Sequence, residues 1–375
     1  MGISSDALAA SRSLASVPEG SPLEVITVSN TGGENRDREN GGDRARELHR
    51  LVTGYQVSQA VHVAATLGLS DLLADGPRSV AELAETTGAD ARSLTRLMRA
   101  LAAVGLYVGD GDERFANTEL GDAFRTDAPH SVAGWARLVG RPFHWQTYAS
   151  LEHSIRTGEN AFAAVHGESV WEYLAEHPAE QKVFDEAMTA LSQAVAYEVV
   201  NAYDFGRFGT VVDVGGGRGM LLAAVLSRYP SVNGVLFDRP DVVAGAHELL
   251  SSIGVWQRCR GVGGSFFDSV PDGGDAYLLK AVIHDWPDAE SVEILRTCRR
   301  SMPAHGRLLL VEQLLDESPD PVRTALSDLT MLVVAGGQER TTDEYRSLLA
   351  AAGFDLIRTV PTGSDVFVLE AAPAQ

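Results

Sequence analysis

The residues best placed to do chemistry fall in short stretches of the second half of the chain. In Lys280-Ala-Val-Ile-His284-Asp285-Trp286-Pro287, a histidine and two other ionisable groups follow the apolar run 276–279. Imidazole titrates near neutrality, so His284 suits proton removal from a hydroxyl, a weak nucleophile until deprotonated. A carboxylate on the other ring nitrogen would orient such a base and stabilise its charged form. Two candidates stand further on: Glu312, closing the run 307–311, and Glu339, in Gly336-Gly-Gln-Glu-Arg340. A single histidine beside a tryptophan is commonly a packed core residue. The strand-end position and the two acids raise His284 above that reading. Asp285, a natural turn residue before Pro287, joins the candidate set.

The strongest local signal is Asp213-Val-Gly215-Gly-Gly217-Arg-Gly219, directly after the apolar strand 210–214. Glycines let backbone approach a ligand, and the following helix N-terminus offers unpaired N–H groups. A dinucleotide site wants G-x-G-x-x-G; here that third position is Met220. An acid followed by three alternating glycines suits a nucleoside carrying an amino-acid tail, with Asp213 receiving the tail's ammonium. Asp238 closes the next strand about 20 residues on, where an acid accepts both ribose hydroxyls. In Ser265-Phe266-Phe267 a ring can cover adenine while Ser265 bonds its exocyclic amine.

These groups need a scaffold. Predicted strands at 210–214, 234–237, 276–279 and 307–311 alternate with helices, the pattern of a parallel sheet covered on both faces. Thr341 and Glu344 have capping-box spacing before a late helix. Strands near 354–359 and 365–370 surround a Pro/Gly/Ser turn and add an antiparallel edge. Upstream, 130–205 is helical in pattern, with Leu174, Phe184, Met188, Leu191, Val195 and Val199 as candidate buried positions. Order is expected from Asp43. Leu51, Tyr55, Val57, Ala60, Val61, Ala64 and Leu67 recur at helical spacing up to Gly68. Ser79/Glu82 and Asp90 open two short helices, and 106–108 pairs with 114–116, outlining a winged helix. The reading is therefore an α/β protein: a polar, flexible tail over 1–42, a helical winged-helix-like domain over 43–205 and a Rossmann-like domain over 206–372.

Bulk properties narrow the function. The 375 residues carry a net charge of −20, with 45% hydrophobic and 22% charged residues. That balance is globular, the length fits two domains, and the charge disfavours a phosphate backbone while favouring a cationic small molecule. No apolar run reaches membrane-spanning length. Residues 1–20 lack a secretory pattern, and Asp6 spoils a myristoylation motif at Gly2. Cys259 and Cys298 form neither a disulfide framework nor a metal spacing, so a reducing cytoplasm and no metal are expected.

Asp213–Gly219, Phe266-Phe267, Leu278-Leu-Lys-x-x-x-His284-Asp-Trp, Val311-Glu312 and Gly336-Gly-x-Glu-Arg-Thr341 together resemble the caffeic-acid type O-methyltransferases. Within that family they are most similar to the bacterial branch that decorates aromatic polyketides and related antibiotics. The resemblance covers roughly residues 45–372. It implies S-adenosyl-L-methionine as cofactor, a small aromatic acceptor, and a homodimer formed through the N-terminal domain, which caps the partner's pocket. It implies His284 as base flanked by Glu312 and Glu339. Ser192, Asp213, Gly215, Asp238, Phe266 and Lys280 would contact the cofactor, and Trp145, Met188 and Met331 the acceptor. Ser265 stands where the family usually has Asp, which puts adenine recognition in question.

Other readings compete. Arg92, Arg96 and Arg99 on the second helix of the winged-helix outline would suit a DNA-binding regulator, against the overall charge. A nicotinamide oxidoreductase fails on the glycine spacing. Relatives of this fold that methylate carbon or nitrogen, or do other chemistry, remain alternatives, as does a protein that binds the cofactor without transferring methyl.

Overall fold

The computed structural model describes residues 36–110 and 113–375, with side chains from residue 42. The chain divides into two compact units, residues 1–53 and 54–375. The first described element is the helix Arg36–Leu67. It begins before Asp43, so 36–42, read from sequence as tail, is helical. That stretch has no apolar residue and so no period by which a helix is read. Residues 1–35, the rest of the expected tail, lie outside the described residues. Gly68, at φ 64°, follows the helix at the expected place. Ala64 and Ala65 are buried, but Leu51 and Tyr55 are 69% and 56% exposed, so the apolar spacing does not mark a single face buried within the chain.

Ser79 forms the expected capping box with Glu82 on the helix Val80–Thr87, and Asp90 caps Ala91–Ala103. Strands β1 (Arg78–Ser79), β2 (Tyr107–Gly109) and β3 (Arg114–Asn117) pair antiparallel in the order β1-β3-β2. Leu69, Leu83, Leu94, Met98 and Leu101 form the core beneath this wing. Helices then run from Ala133 to Ala202, the last and longest being Pro178–Ala202. Leu174 and Val199 on these helices are buried as expected. Phe184 and Met188 are only half-buried because they line a cavity.

The remaining strands are β4 (Thr210–Val214), β5 (Asn233–Asp238), β6 (Cys259–Gly263), β7 (Ala276–Lys280), β8 (Arg307–Gln313), β9 (Phe354–Pro361) and β10 (Val366–Pro373). They form one seven-stranded sheet in the order β6-β5-β4-β7-β8-β10-β9. β4 to β8 are parallel, and β10 lies antiparallel between β8 and β9. Buried on both faces, β4, β7 and β8 are apolar along most of their length. The chain winds outward from β4 through β5 to β6, then returns to add β7 and β8 on the other side. This reversal opens a crevice beyond the carboxyl ends of β4 and β7, where ligands bind in such sheets. β6 escapes sequence reading because Cys-Arg-Gly-Val-Gly has neither an apolar run nor a clean alternation. Among the described residues, no helix is long and apolar enough to cross a membrane.

Candidate active site

The crevice is built from strand ends. Past β4 the backbone turns through Gly215, Gly217 and Gly219 at φ 67°, 59° and 82°, conformations that strain other residues. A Cβ on Gly215 would also come within 2.8 Å of Val282. Asp213 is 1% exposed, and its Oδ1 has no hydrogen-bond partner. Burial pushes its carboxyl up to about 7; Lys280 opposes the rise and Asp238 adds to it. At the end of β5, Asp238 accepts hydrogen bonds from the Gly217 N–H at 2.8 Å and the Arg239 N–H at 2.7 Å. Burial raises its carboxyl and those two bonds pull it back. At the end of β7, Lys280 Nζ donates to Ser192 Oγ at 2.9 Å, tying the sheet to the Pro178–Ala202 helix. Burial lowers this lysine, against the pull of Glu312, Asp213 and Asp285.

A cavity of about 310 Å³ collects these groups, within the range of small-molecule sites. Ser192, Asp213, Gly215, Gly217, Asp238, Ser265, Phe266, Phe267, Lys280, Asp285 and Met188 all line it. Phe266 and Phe267 stand edge-on to Trp286, with centroids 5.8 and 4.8 Å away. Ser265 Oγ accepts from the Phe267 N–H at 3.2 Å, so its hydroxyl also shapes the turn. Sequence reasoning missed Trp171, Phe184, Arg218 and Arg239 as lining residues. The arginines adjoin motif residues and were discoverable, whereas nothing in the sequence separates the two aromatics from core. Trp145 and Met331 do not line this cavity. They belong to the helix Pro142–Ala149 and the π-helical turn Met331–Ala335, which pack on each other.

His284 lies beside the cavity rather than in its lining. Its Nδ1 is 3.1 Å from Glu339 Oε1 and 3.6 Å from Glu312 Oε2, and its Nε2 is 3.6 Å from Asp285 Oδ1. In the neutral ring this geometry favours the proton on Nδ1, facing two carboxylates, and leaves the Nε2 lone pair on the side of Asp285. Glu312 Oε1 accepts from the Val282 and Ile283 N–H groups at 3.2 and 2.9 Å. Burial alone would lower His284; Glu312, Glu339 and Asp285 overcome it and raise the imidazole to about 10. Burial raises Glu312 to about 7, with His284 opposing. Burial also works to raise Glu339, but the His284 charge and hydrogen bonds from His284 and Ser327 outweigh it and hold this carboxyl below its ordinary value. Asp285 is raised to about 6 by burial, with His284 opposing.

The turn carrying His284 is locked to the loop carrying Glu339. Gln338 N–H donates to the His284 carbonyl at 2.9 Å. Arg340, wholly buried, donates to the Ile283 carbonyl at 3.1 Å, the Trp286 carbonyl at 2.9 Å and Asp288 Oδ1 at 2.8 Å.

Residues 148–355 match the O-methyltransferase domain family, and residues 49–127 match the O-methyltransferase dimerisation domain. This chain belongs to the O-methyltransferase family. The O-methyltransferase is 45% identical to the phenazine O-methyltransferase PhzM of Lysobacter antibioticus, over 87% of this chain and 95% of that protein. It is 38% identical to the 8-amino-8-demethylriboflavin N,N-dimethyltransferase of Streptomyces davaonensis, over 87% of this chain and 94% of that one. Among solved structures, NcsB1 from neocarzinostatin biosynthesis, in complex with S-adenosylmethionine and 2-hydroxy-5-methyl naphthoic acid, superposes with a TM-score of 0.72. Its identity is 36%, over 84% of this chain and 96% of that one. The cofactor of this O-methyltransferase is S-adenosylmethionine. The regulator and nicotinamide readings gain nothing from these matches.

Proposed function

We propose that this O-methyltransferase methylates a phenolic hydroxyl of a small aromatic natural product, with His284 as general base. The observation that carries the reading is the position of His284. Nδ1 is held by Glu339 with Glu312 behind it, and Nε2 is left for the acceptor's proton. Bound S-adenosylmethionine supplies an electrophilic methyl group on a sulfonium. The cavity suits that group: Asp213 has a buried oxygen lacking a partner, Asp238 and Asp213 give it acidic walls, and the glycine turn gives backbone access. Asp213 takes the amino-acid ammonium, Asp238 the ribose hydroxyls, Phe266 and Phe267 the adenine face, with Ser265, Ser192 and Lys280 completing the polar contacts. Nε2 removes the hydroxyl proton, and Glu339 with Glu312 stabilises the resulting imidazolium. Asp285 closes the site beside Nε2. Holding oxygen and methyl in line lowers much of the remaining barrier.

Met188 borders the acceptor, with Trp145 and Met331 further out. Residues 43–205 act as a lid and homodimerisation domain, supported by the exposed Leu51 and Tyr55, and 206–372 as the catalytic domain of a cytoplasmic enzyme. Transfer to nitrogen is a second reading, supported by the dimethyltransferase relative. Matched aryl hydroxyl and aryl amine acceptors, offered with methyl-labelled cofactor, separate the two. Methyl ethers are expected, and faster labelling of the amines would overturn the proposal.

The charge around His284 gives this reading a pH signature. With its imidazole raised to about 10, His284 holds a proton in the free enzyme at neutrality, and the active base form grows as pH rises. Initial rates are therefore expected to show kcat/KM climbing about tenfold per pH unit between about pH 6.5 and 8.5. A flat profile would remove His284 from proton transfer.

A further inference from the structure

Glu312 and Glu339 both face the proton on His284 Nδ1, but their surroundings differ. Glu312 Oε1 is taken by two backbone N–H groups, while Oε2, the atom nearer the imidazole, has no hydrogen-bond partner. Glu339 also has an unpartnered oxygen, Oε2, but its Oε1, the atom facing the imidazole, receives two donors: His284 Nδ1 at 3.1 Å and Ser327 Oγ at 2.7 Å. The next residue, Asp328, accepts the Glu339 N–H through Oδ1 at 2.9 Å. Two consecutive residues of the helix Pro321–Thr330 thus grip the side chain and the backbone of Glu339. Arg340, Asp328, Tyr345, Glu312, Asp285 and His284 are ionisable groups around it. Of its hydrogen bonds, those from His284 and Ser327 stabilise the charged carboxylate.

We propose that Ser327 is a positioning residue: its hydroxyl fixes Glu339 Oε1 against His284 Nδ1 and keeps that carboxylate, rather than Glu312, as the charged partner of the base. The mechanism follows from hydrogen-bond chemistry. A donor to a carboxylate favours the ionised form. An ionised carboxylate beside imidazole favours imidazolium, the form His284 takes on when it has accepted the acceptor's proton. Without the hydroxyl, Glu339 protonates more readily and rotates more freely, and it supports the imidazolium less. The consequence for reaction rests on His284 acting as base; the coupling from Ser327 through Glu339 to His284 does not.

The test compares Ser327→Ala with Ser327→Thr, which retains a hydroxyl. The His284 imidazole is followed by NMR over pH, alongside kcat, KM and calorimetric affinity for S-adenosylhomocysteine. In Ser327→Ala the His284 midpoint is expected to fall by roughly one pH unit. On the high-pH plateau kcat is expected to fall about tenfold, with both KM values within about twofold of the parent. Ser327→Thr restores both. An unmoved His284 midpoint in Ser327→Ala, or an equal loss in both variants, overturns the proposal. If the midpoint moves and the rate profile does not follow, the coupling stands and the role of His284 as base falls.

Discussion

Replacing His284 by alanine is expected to lower kcat by about 10²- to 10⁴-fold, the usual contribution of a positioned base. S-adenosylhomocysteine affinity should change by less than about threefold, since the ring makes no part of the cavity lining and uniform binding is left intact. The substitution also strips Glu312 and Glu339, which are 1% and 2% exposed, of their shared cation. Breaking a buried charge cluster from one side destabilises a fold by about 3–5 kcal/mol. A lower melting temperature is therefore expected and does not by itself count against catalysis. His284→Gln separates the effects: it restores a hydrogen-bond donor towards Glu339 but not the cation, so it should regain part of the stability without regaining turnover. Calorimetry with S-adenosylhomocysteine and single-turnover methyl transfer provide the readouts. Parallel loss of cofactor affinity and turnover in both variants would mark the histidine as structural.

The second large effect is expected at Gly337. A Cβ there would stand 2.0 Å from the His284 carbonyl oxygen and 2.4 Å from the Asp285 carbonyl carbon. Both neighbours are backbone, so no side chain can swing away, and Gly337→Ala must push the His284 turn off the loop. Shifts of about 1 Å in a catalytic group cost on the order of 10²-fold in rate, and overpacking costs about 1–3 kcal/mol of stability. Gly336→Ala makes the internal control. Gly336 sits at φ 87°, and its nearest Cβ neighbour is the Asn160 side chain at 3.5 Å, so the penalty there is mainly backbone strain. That strain costs about 1–2 kcal/mol. Thermal melts with initial rates should show Gly337→Ala losing far more activity than Gly336→Ala per degree of melting temperature lost. Equal losses would mean that the contact does not hold the His284 turn in place.

Parts of this site are readable from sequence because their chemistry restricts which residues can occupy them. The turn after β4 needs positive φ at alternate positions, and the glycines announce it. Asp213 and Asp238 stand at the carboxyl ends of apolar strands and His284 in the turn just after another, so the parallel strands deliver all three to one edge of the sheet. Other parts leave no such trace. Ser327 is an ordinary polar residue on an amphipathic helix until Glu339 folds back against it. Trp171 and Phe184 satisfy a helical apolar pattern equally well in a core or on a cavity wall, and only packing between distant helices separates the two. β6 is recruited by pairing with β5 rather than by its own composition. The exposed apolar residues on Arg36–Leu67 have the period of a buried face but no cover among the described residues, a distinction that periodicity cannot make.

The strand order also bears on how such an enzyme can change its substrate. Asp213 on β4 pairs with Leu278 on β7, and Lys280 on β7 pairs with Val311, the residue before Glu312 on β8. Neighbouring strands lie about 4.8 Å apart. The span from Asp213 to Glu312 is therefore two strand spacings across the sheet and three residues along it, a ruler made of backbone. Met188, Phe184 and Trp171 come instead from helices outside the sheet. Substitutions on those helices can reshape the pocket while the ruler stays fixed. An engineer seeking a new aromatic acceptor would vary the helical wall and leave the strand ends untouched.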